Sequence, residues 1–327
     1  MPRTAILIPC YNEENTIRKV ITDFRKQLPD AVIYVYDNNC KDQTANNAKG
    51  ENAVVRFEKK QGKGNVVRTM FRDIDADFYV MVDGDCTYPA EKVHDIMQPV
   101  VAGDADMTVG ARLDEFSDKS FRPFHKFGNE AIKWTINFLF DCRLRDILSG
   151  YRCFNRKFVK SIPILSQGFE VETELTLQAL DKNMIIQEVK IPYLERPEGS
   201  YSKLSTLRDG IRIIRTIFSI FKDYRPLKCF TCGGLICLLM GLGFGSIPIY
   251  EFIQTQKVTH ASTAVLATGL VLVSLLSFIT GLILDSSKRR HKELFQMLID
   301  HKISPVNELY MDCTGRSYHP TLLGRPG

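Results

Sequence analysis

Val80-Met81-Val82-Asp83-Gly84-Asp85-Cys86-Thr87-Tyr88-Pro89 is the stretch on which the fold turns. An apolar run stops at two carboxylates separated by a single glycine, and a proline closes it. A short apolar run of this kind predicts a buried strand, and Pro89 predicts the first position of the following helix. Asp83 and Asp85 then stand at a strand's carboxyl end, the edge at which open α/β sheets bind ligands. Carboxylates this close repel unless a cation lies between or beside them. A hard divalent ion with a phosphate-bearing substrate answers that need. On this stretch alone the pair reads equally well as a turn in which Asp83 caps the helix.

The flanking sequence repeats the pattern. Thr4–Ile8 predicts a first strand that breaks at Pro9-Cys10-Tyr11-Asn12-Glu13-Glu14, and Ile17, Val20, Ile21 and Phe24 follow at helical spacing. Ala31–Tyr36 predicts a second strand ending at Asp37, Asn38 and Asn39. Ala53–Phe57 predicts a third, leading through Lys59-Lys60-Gln61-Gly62-Lys63-Gly64-Asn65 into a helix that runs to about Ile74. Phe78–Val82 is the fourth strand, Pro89–Val101 its helix, and Asp106–Gly110 the fifth strand. Such alternation predicts an α/β fold with a parallel sheet and right-handed crossovers. Every unusual polar cluster falls at a strand's carboxyl end, which predicts a nucleotide-binding crest. Asp37 there suits a hydrogen bond to a base or ribose, or caps the helix behind it. Gly62-Lys63-Gly64 lacks the spacing and the Ser/Thr of a P-loop. Its glycines permit close backbone approach, and Lys63 either meets a base or phosphate or faces water.

At 327 residues the chain can hold one sizeable core. Its polarity is uneven. Cys229–Tyr250 and Ala264–Leu284 contain no Asp, Glu, Lys or Arg, and each is long enough to cross a bilayer. A soluble domain followed by a two-helix membrane hairpin is expected. Thr4–Ile8 is too short for a signal peptide, and none is expected. The nine cysteines show no secreted spacing and predict free thiols in a reducing compartment. Cys229 and Cys232 have a redox or zinc spacing but no second ligand pair, and are read as packing residues.

The net charge of +5 is modest, but its placement is telling. Arg208, Arg212, Arg215, Lys222, Arg225 and Lys228 precede the first span, and Lys288, Arg289, Arg290 and Lys292 follow the second. This predicts that both flanks are cytoplasmic and that Glu251–Thr263 lies on the far side. Membrane lipids with anionic head groups, not nucleic acid, are the expected partners. Thr206–Tyr224 reads as an amphipathic helix, with Arg208, Arg212, Arg215 and Lys222 opposite Ile213, Ile217, Ile220 and Phe221. It either lies in the membrane interface or packs on the soluble core with a wet basic face. Gly241-x-x-x-Gly245 predicts close helix packing, within the hairpin or between subunits of a homo-oligomer.

In order and spacing, Pro9-Cys10-Tyr11-Asn12-Glu13-Glu14, Asp37, Gly62-Lys63-Gly64 and Asp83-Gly84-Asp85 resemble glycosyltransferase family 2, with its GT-A fold. The segments Gly110–Arg112, Lys126–Asn129, Asp146–Phe154, Gly168–Glu174 and Arg196–Lys203 are similar to the polyprenyl-phosphate branch of that family. Dolichol-phosphate mannose synthase and bacterial undecaprenyl-phosphate glucosyltransferases belong to this branch. The resemblance runs from about Thr4 to the hairpin. The expected organisation is a GT-A catalytic domain over 1–204, a juxtamembrane helix over 205–228, the hairpin over 229–285 and a cytoplasmic tail over 286–327. The protein is then an integral membrane protein (of the inner membrane, in a bacterium) with its catalytic domain in the cytoplasm.

The resemblance implies inverting, in-line transfer of a sugar from a UDP- or GDP-linked donor to an undecaprenyl or dolichyl phosphate. Donor contacts are expected from Pro9, Tyr11, Asn12, Glu13, Asp37, Lys63, Gly64, Asp83, Gly84 and Asp85. Mg²⁺ or Mn²⁺ on Asp83 and Asp85 stabilises the departing diphosphate. Asp85 is the stronger expected ligand. Thr87 stands where several relatives carry a metal-holding glutamine and is a weaker one. The acceptor phosphate is already ionised and needs aim more than a base. Its cationic cradle is expected from Arg112, Arg152, Arg196 and Lys203, with Lys126, Ser149 and Ser202 beside them. Glu172 is the expected acceptor-side carboxylate. It joins Asp83, Asp85 and Arg152 in the catalytic set, and Asp146 is expected to order Arg152. Glu170, Glu172 and Glu174 alternate as on a strand but equally suit a helix N-terminus. A processive synthase would carry Gln-x-x-Arg-Trp, whereas the only tryptophan here is Trp134. The acidic pair argues against a non-catalytic scaffold.

Overall fold

The structure, a computed structural model, describes residues 2–112, 123–168, 170–194, 218–257 and 259–303. It describes the side chains of these residues except at 123–129, 132 and 298–303. Among them Thr4–Cys10 forms β1, Val32–Asp37 β2, Val54–Phe57 β3, Phe78–Met81 β4, Met107–Arg112 β5, Arg152–Asn155 β6 and Ile186–Ile191 β7. They make one sheet in the order β3-β2-β1-β4-β6-β5-β7. β1 is central. Ala5, Ile6, Leu7 and Ile8 are at most 2% exposed, so the strand reads as a continuous apolar run. Ala5 and Leu7 enter one core and Ile6 and Ile8 the other, as the two-residue period of a strand requires.

Helices cover both faces. The first core takes α3 (Lys63–Asp73), α6 (Arg156–Ser161) and α7 (Val171–Asp181). The second takes α1 (Ile17–Gln27), α2 (Thr44–Gly50) and α4 (Val93–Val101). The helical period at Ile17, Val20, Ile21 and Phe24 is the buried face of α1. Pro89 departs from expectation. It is extended, with φ −71° and ψ 125°, and stands ahead of a short 3-10 turn at Ala90–Lys92 instead of opening the helix.

The parallel pattern also has one interruption. β6 runs antiparallel to both β4 and β5, while all other pairs are parallel. Its reversal puts the start of β6, not its end, on the edge that carries Asp83 and Asp85. The loop before β6 is thereby folded against the acidic pair.

A third apolar cluster joins α5 (Pro123–Phe140), α7 and α8 (residues 218–224) through Ile136, Leu139, Leu177 and Ile220. Phe221 and Tyr224 pack against it. The described end of the amphipathic segment therefore lies on the α/β domain, and Lys222 is exposed; residues 206–217 lie outside the described residues. α9 (Pro226–Thr255) and α10 (Ala261–Ile303) form the hairpin, and both are long and apolar enough to cross a membrane. The helices extend past the apolar runs at their charged ends. Gly234, Gly241 and Gly245 face α10, so the glycine spacing is used within the hairpin. No disulfide joins the cysteines among the described residues.

Candidate active site

The carboxyl ends of β1, β2, β3, β4 and β5, with the start of β6, meet at one crest. The turn after β1 is stitched to its neighbours. Asn12 adopts φ 54°, accepts from the Lys41 amide through Oδ1 at 2.8 Å, and donates its own amide to Cys40 Sγ. The Glu13 amide donates to Thr44 Oγ1 at 2.8 Å. Thr16 Oγ1 donates to the Gly84 carbonyl at 2.6 Å, tying the start of α1 to the acidic turn. Pro9, near the end of β1, and Tyr11, on the loop after it, are half-buried.

Asp37 pairs in register with Cys10 and accepts from the Cys40 amide at 2.7 Å. The bond reaches three residues along the loop and is not a helix cap, because α2 begins only at Thr44. Asn38, to which the sequence reading gave no role, is the buried connector. Its Nδ2 donates to the carbonyls of Glu58 and Lys60, and its Oδ1 accepts from the Gly62 amide at 2.7 Å. A polar residue directly after a strand was the available signal.

Gly62 and Gly64 prove necessary for a contact within the protein. A Cβ on Gly62 would lie 2.1 Å from the Gln167 carbonyl oxygen, and one on Gly64 would lie 2.4 Å from that of Ser166. Gly62 also has φ 125°, which side chains disfavour. The Gly64 amide donates to the carbonyls of Gln167 and Gly168, both at 3.1 Å. The loop before α3 is thus sealed onto the loop that enters α7.

Between these loops, Lys63 Nζ lies 2.5 Å from Asp83 Oδ1 and 2.5 Å from Glu172 Oε1. The Lys63 side chain is 10% exposed and that of Glu172 6%, whereas Asp83 retains 28%. Burial alone would depress the ammonium, but the two carboxylates override it and hold Lys63 above its ordinary value. Glu172 lies in the first turn of α7, which resolves the strand-or-helix alternative. Asp83 accepts from Lys63 and caps no helix, since the next helical turn begins only at Ala90, after Pro89.

Asp85 is 7% exposed, and its Oδ1 accepts from Thr87 Oγ1 at 2.6 Å and from the Thr87 amide at 3.3 Å. Thr87 is itself 1% exposed and orients Asp85 in this arrangement. The loop before β6 packs on the other side of the acidic turn. A Cβ on Gly150 would lie 2.5 Å from Asp83 Oδ2. The Gly150 amide donates to the Tyr88 hydroxyl at 2.9 Å, and burial raises that phenol above its usual range. Two hard carboxylates this close suit Mg²⁺ or Mn²⁺, which bind through few protein ligands and complete their shell with water or substrate oxygens. No larger cluster of His, Cys, Asp or Glu suited to a metal exists among the described residues.

The expected acceptor cradle is rearranged. Arg152 is 0% exposed. Its guanidinium donates to the carbonyls of Ser149 (2.9 Å) and Ile147 (2.6 Å) and to Thr176 Oγ1 (2.9 Å). Burial pushes it down to about 10, still charged at neutral pH. Arg152 therefore binds the β6 loop to α7 and does not present its fork to solvent. Asp146 pairs with Arg112 instead of Arg152, through Nε at 2.6 Å and Nη2 at 2.9 Å. Burial alone would raise the Asp146 carboxyl, but Arg112 holds it low. Arg112 also lies over the Tyr193 ring at 5.3 Å and keeps 22% of its side chain exposed. Ser149 is fully buried beneath the loop. Lys126 belongs to α5 but its side chain is not described, and Arg196, Ser202 and Lys203 lie outside the described residues.

Residues 5–162 match the model of glycosyl transferase family 2. The glycosyltransferase AglJ of Haloferax volcanii is 31% identical over 88% of this chain and 94% of its own length. The dolichol-phosphate mannosyltransferase of Pyrococcus furiosus is 22% identical over 74% of this chain and 71% of its own. Among solved structures, glucosyl-3-phosphoglycerate synthase of Mycobacterium tuberculosis with Mn²⁺ and UDP-glucose superposes with a TM-score of 0.53. It is 18% identical, over 68% of this chain and 79% of that one, a likeness of fold.

Proposed function

The chain belongs to glycosyl transferase family 2 and is a glycosyltransferase, and on that premise we propose that it moves a sugar from a nucleotide-diphosphate donor to a polyprenyl phosphate at the cytoplasmic membrane face. The observation that carries this reading is the joining of Asp83 to Glu172 through Lys63, on a domain followed by two exposed apolar helices. The first feature suits a sugar nucleotide, and the second suits an acceptor whose chain stays in the bilayer. The dolichol-phosphate mannosyltransferase among the relatives points the same way. The positive residues beside both spans favour a cytoplasmic crest.

Asp83 and Asp85 would hold Mg²⁺ or Mn²⁺, which when bound supplies positive charge to the departing diphosphate. The other tasks fall to the chain. Lys63, already fixed by two carboxylates, presents its charge beside the donor site without reorganisation. Pro9, Tyr11, Asn12, Glu13 and Asp37 line the edge suited to the nucleoside, with Gly64 and Gly84 at the loops that shape it. Arg112, cationic and partly exposed, is the described residue best placed to meet an acceptor phosphate. Arg196, Ser202, Lys203 and Lys126 complete the proposed cradle from the sequence resemblance. Glu172 holds Lys63, and Arg152 and Ser149 hold the loop carrying Gly150. The acceptor phosphate, ionised near neutral pH, attacks the anomeric carbon in line, and the configuration inverts.

A donor panel tests this reading. UDP-glucose, UDP-N-acetylglucosamine, UDP-galactose and GDP-mannose are supplied with undecaprenyl phosphate in vesicles and Mg²⁺ or Mn²⁺. One donor should release its nucleotide only when metal and lipid are both present. Release that is indifferent to the lipid, or absent with every donor, would overturn it.

A further inference from the structure

α10 does not stop where its apolar run ends. It is 43 residues long and continues as a helix beyond the charged residues at 285–292. There it docks on the catalytic domain. Lys288 Nζ lies 2.9 Å and Lys292 Nζ 3.1 Å from the same oxygen of Asp181, the last residue of α7. Lys288 also donates to the Tyr224 carbonyl at 2.5 Å, so it joins α7, α8 and α10 at one point. One turn further, the Phe295 ring lies 4.7 Å from Lys182 Nζ and packs against the core that contains Val171, Leu175 and Ala179. An acid at a helix C-terminus opposes the helix dipole. Asp181 is tolerated because two lysines from a different element answer it. Those lysines, which the sequence assigned to lipid head groups, meet a carboxylate of the protein in this structure, with Lys288 21% and Lys292 41% exposed.

The other end of α7 carries Glu172, which holds Lys63 and through it Asp83. About 14 Å of helix axis separates Glu172 from Asp181, at 1.5 Å per residue. Between them Thr173, Leu175, Thr176, Leu177, Gln178 and Ala179 are buried, so the helix moves as a body. We propose that α7 is a strut: the Asp181–Lys288–Lys292 clamp fixes the Lys63–Glu172 site relative to the membrane hairpin. Asp181 is thus a positioning residue for use of a membrane-held acceptor. The assignment of acceptor rests on the function proposed above; the mechanical coupling does not.

The full chain in vesicles tests both parts, with Asp181→Asn and with Lys288→Ala/Lys292→Ala. Kinetics with undecaprenyl phosphate in the bilayer should show kcat/KM reduced about tenfold, while transfer to soluble geranyl phosphate stays within twofold. Equal loss with both acceptors, or loss with neither, overturns the positioning role. Hydrogen exchange reads the coupling without activity. Amides at Val171–Leu175 and at Gly64 should exchange at least tenfold faster in both variants. Acceleration confined to α10 and the last turn of α7 overturns the strut. A wild-type chain that transfers to neither acceptor overturns the proposed function, and exchange still decides the strut.

Discussion

Lys63 and Arg152 at the crest are almost wholly removed from solvent with their charged nitrogens engaged, whereas Leu239, Ile253 and Val265 of the hairpin are 62%, 66% and 74% exposed. The two regions invert each other's pattern. In the catalytic domain a buried charge is costly, so each is answered by a carboxylate, a carbonyl or a hydroxyl. In the hairpin the backbone is satisfied by helix, and apolar side chains that point away from the helix–helix contact, such as these three, stand open. Such a surface suits a solvent of hydrocarbon. The difference teaches where each region's specificity lies: at the crest in electrostatic pairing, in the hairpin in small residues that admit a neighbouring helix.

The largest expected effect breaks the crest's chemistry. Asp85→Ala should lower metal-dependent nucleotide release about 10³-fold, the scale seen when one transition-state charge stabiliser is lost. An unchanged thermal midpoint shows that the fold survives, and full residual activity would remove Asp85 from the metal site.

Lys63→Met breaks the pairing itself. Asp83 and Glu172 are left close together without their cation, which should cost about 3–5 kcal/mol of stability. The pH dependence has a definite sign. The folded pKa of Lys63 is raised, so its contribution is complete below the unfolded value of about 10.4 and is lost only as pH rises through the folded value. Chemical denaturation should therefore give the same Lys63→Met deficit at pH 7 and pH 9. A deficit that fades across this window would contradict the raised pKa.

Gly150→Ala is a smaller intrusion. Its methyl group must displace Asp83 or shift the loop held by Tyr88, at about 1–3 kcal/mol. Titration of the variant with Mn²⁺ and donor should show weakened binding beyond what Tyr88→Phe causes. Equal binding to wild type would mean that the loop yields and Asp83 does not.

Much of the crest was legible because each of β1 to β4 announces itself by an apolar run and ends in polar residues with few other uses. Asp83, Asp85, Lys63 and Glu172 were all legible as candidates. Their connection was not, since Lys63 and Glu172 are far apart in sequence and only the sealing of Gly62 and Gly64 onto 166–168 joins them. Arg152 was misread for a physical reason. Its match to the family's acceptor motifs suggested a phosphate contact, but on a four-residue antiparallel strand its side chain turns into the core. β6 itself escaped notice because four residues carry too little periodicity to outvote the surrounding parallel pattern. Lys288 and Lys292 were read with their neighbours as one basic flank, and a helical wheel cannot tell which side of such a flank faces protein.

The finest test separates two glycines two residues apart in α9. A Cβ on Gly241 would lie 3.0 Å from Val271 Cγ2 and 3.2 Å from the Ala267 carbonyl oxygen, while one on Gly243 meets nothing within 4 Å. Gly241→Ala should therefore push the helices apart and cost about 1 kcal/mol, the low end for an added methyl group in a packed interface. Gly243→Ala keeps the contacts and gains helix propensity, so it should stabilise by about 0.5–1 kcal/mol. Thermal midpoints in detergent should move in opposite directions. If Gly243→Ala destabilises instead, and does so together with loss of a cross-linked dimer, its open face is covered by a second copy of the chain. The contrast between a paired crest and an uncovered hairpin would then hold for the single chain alone.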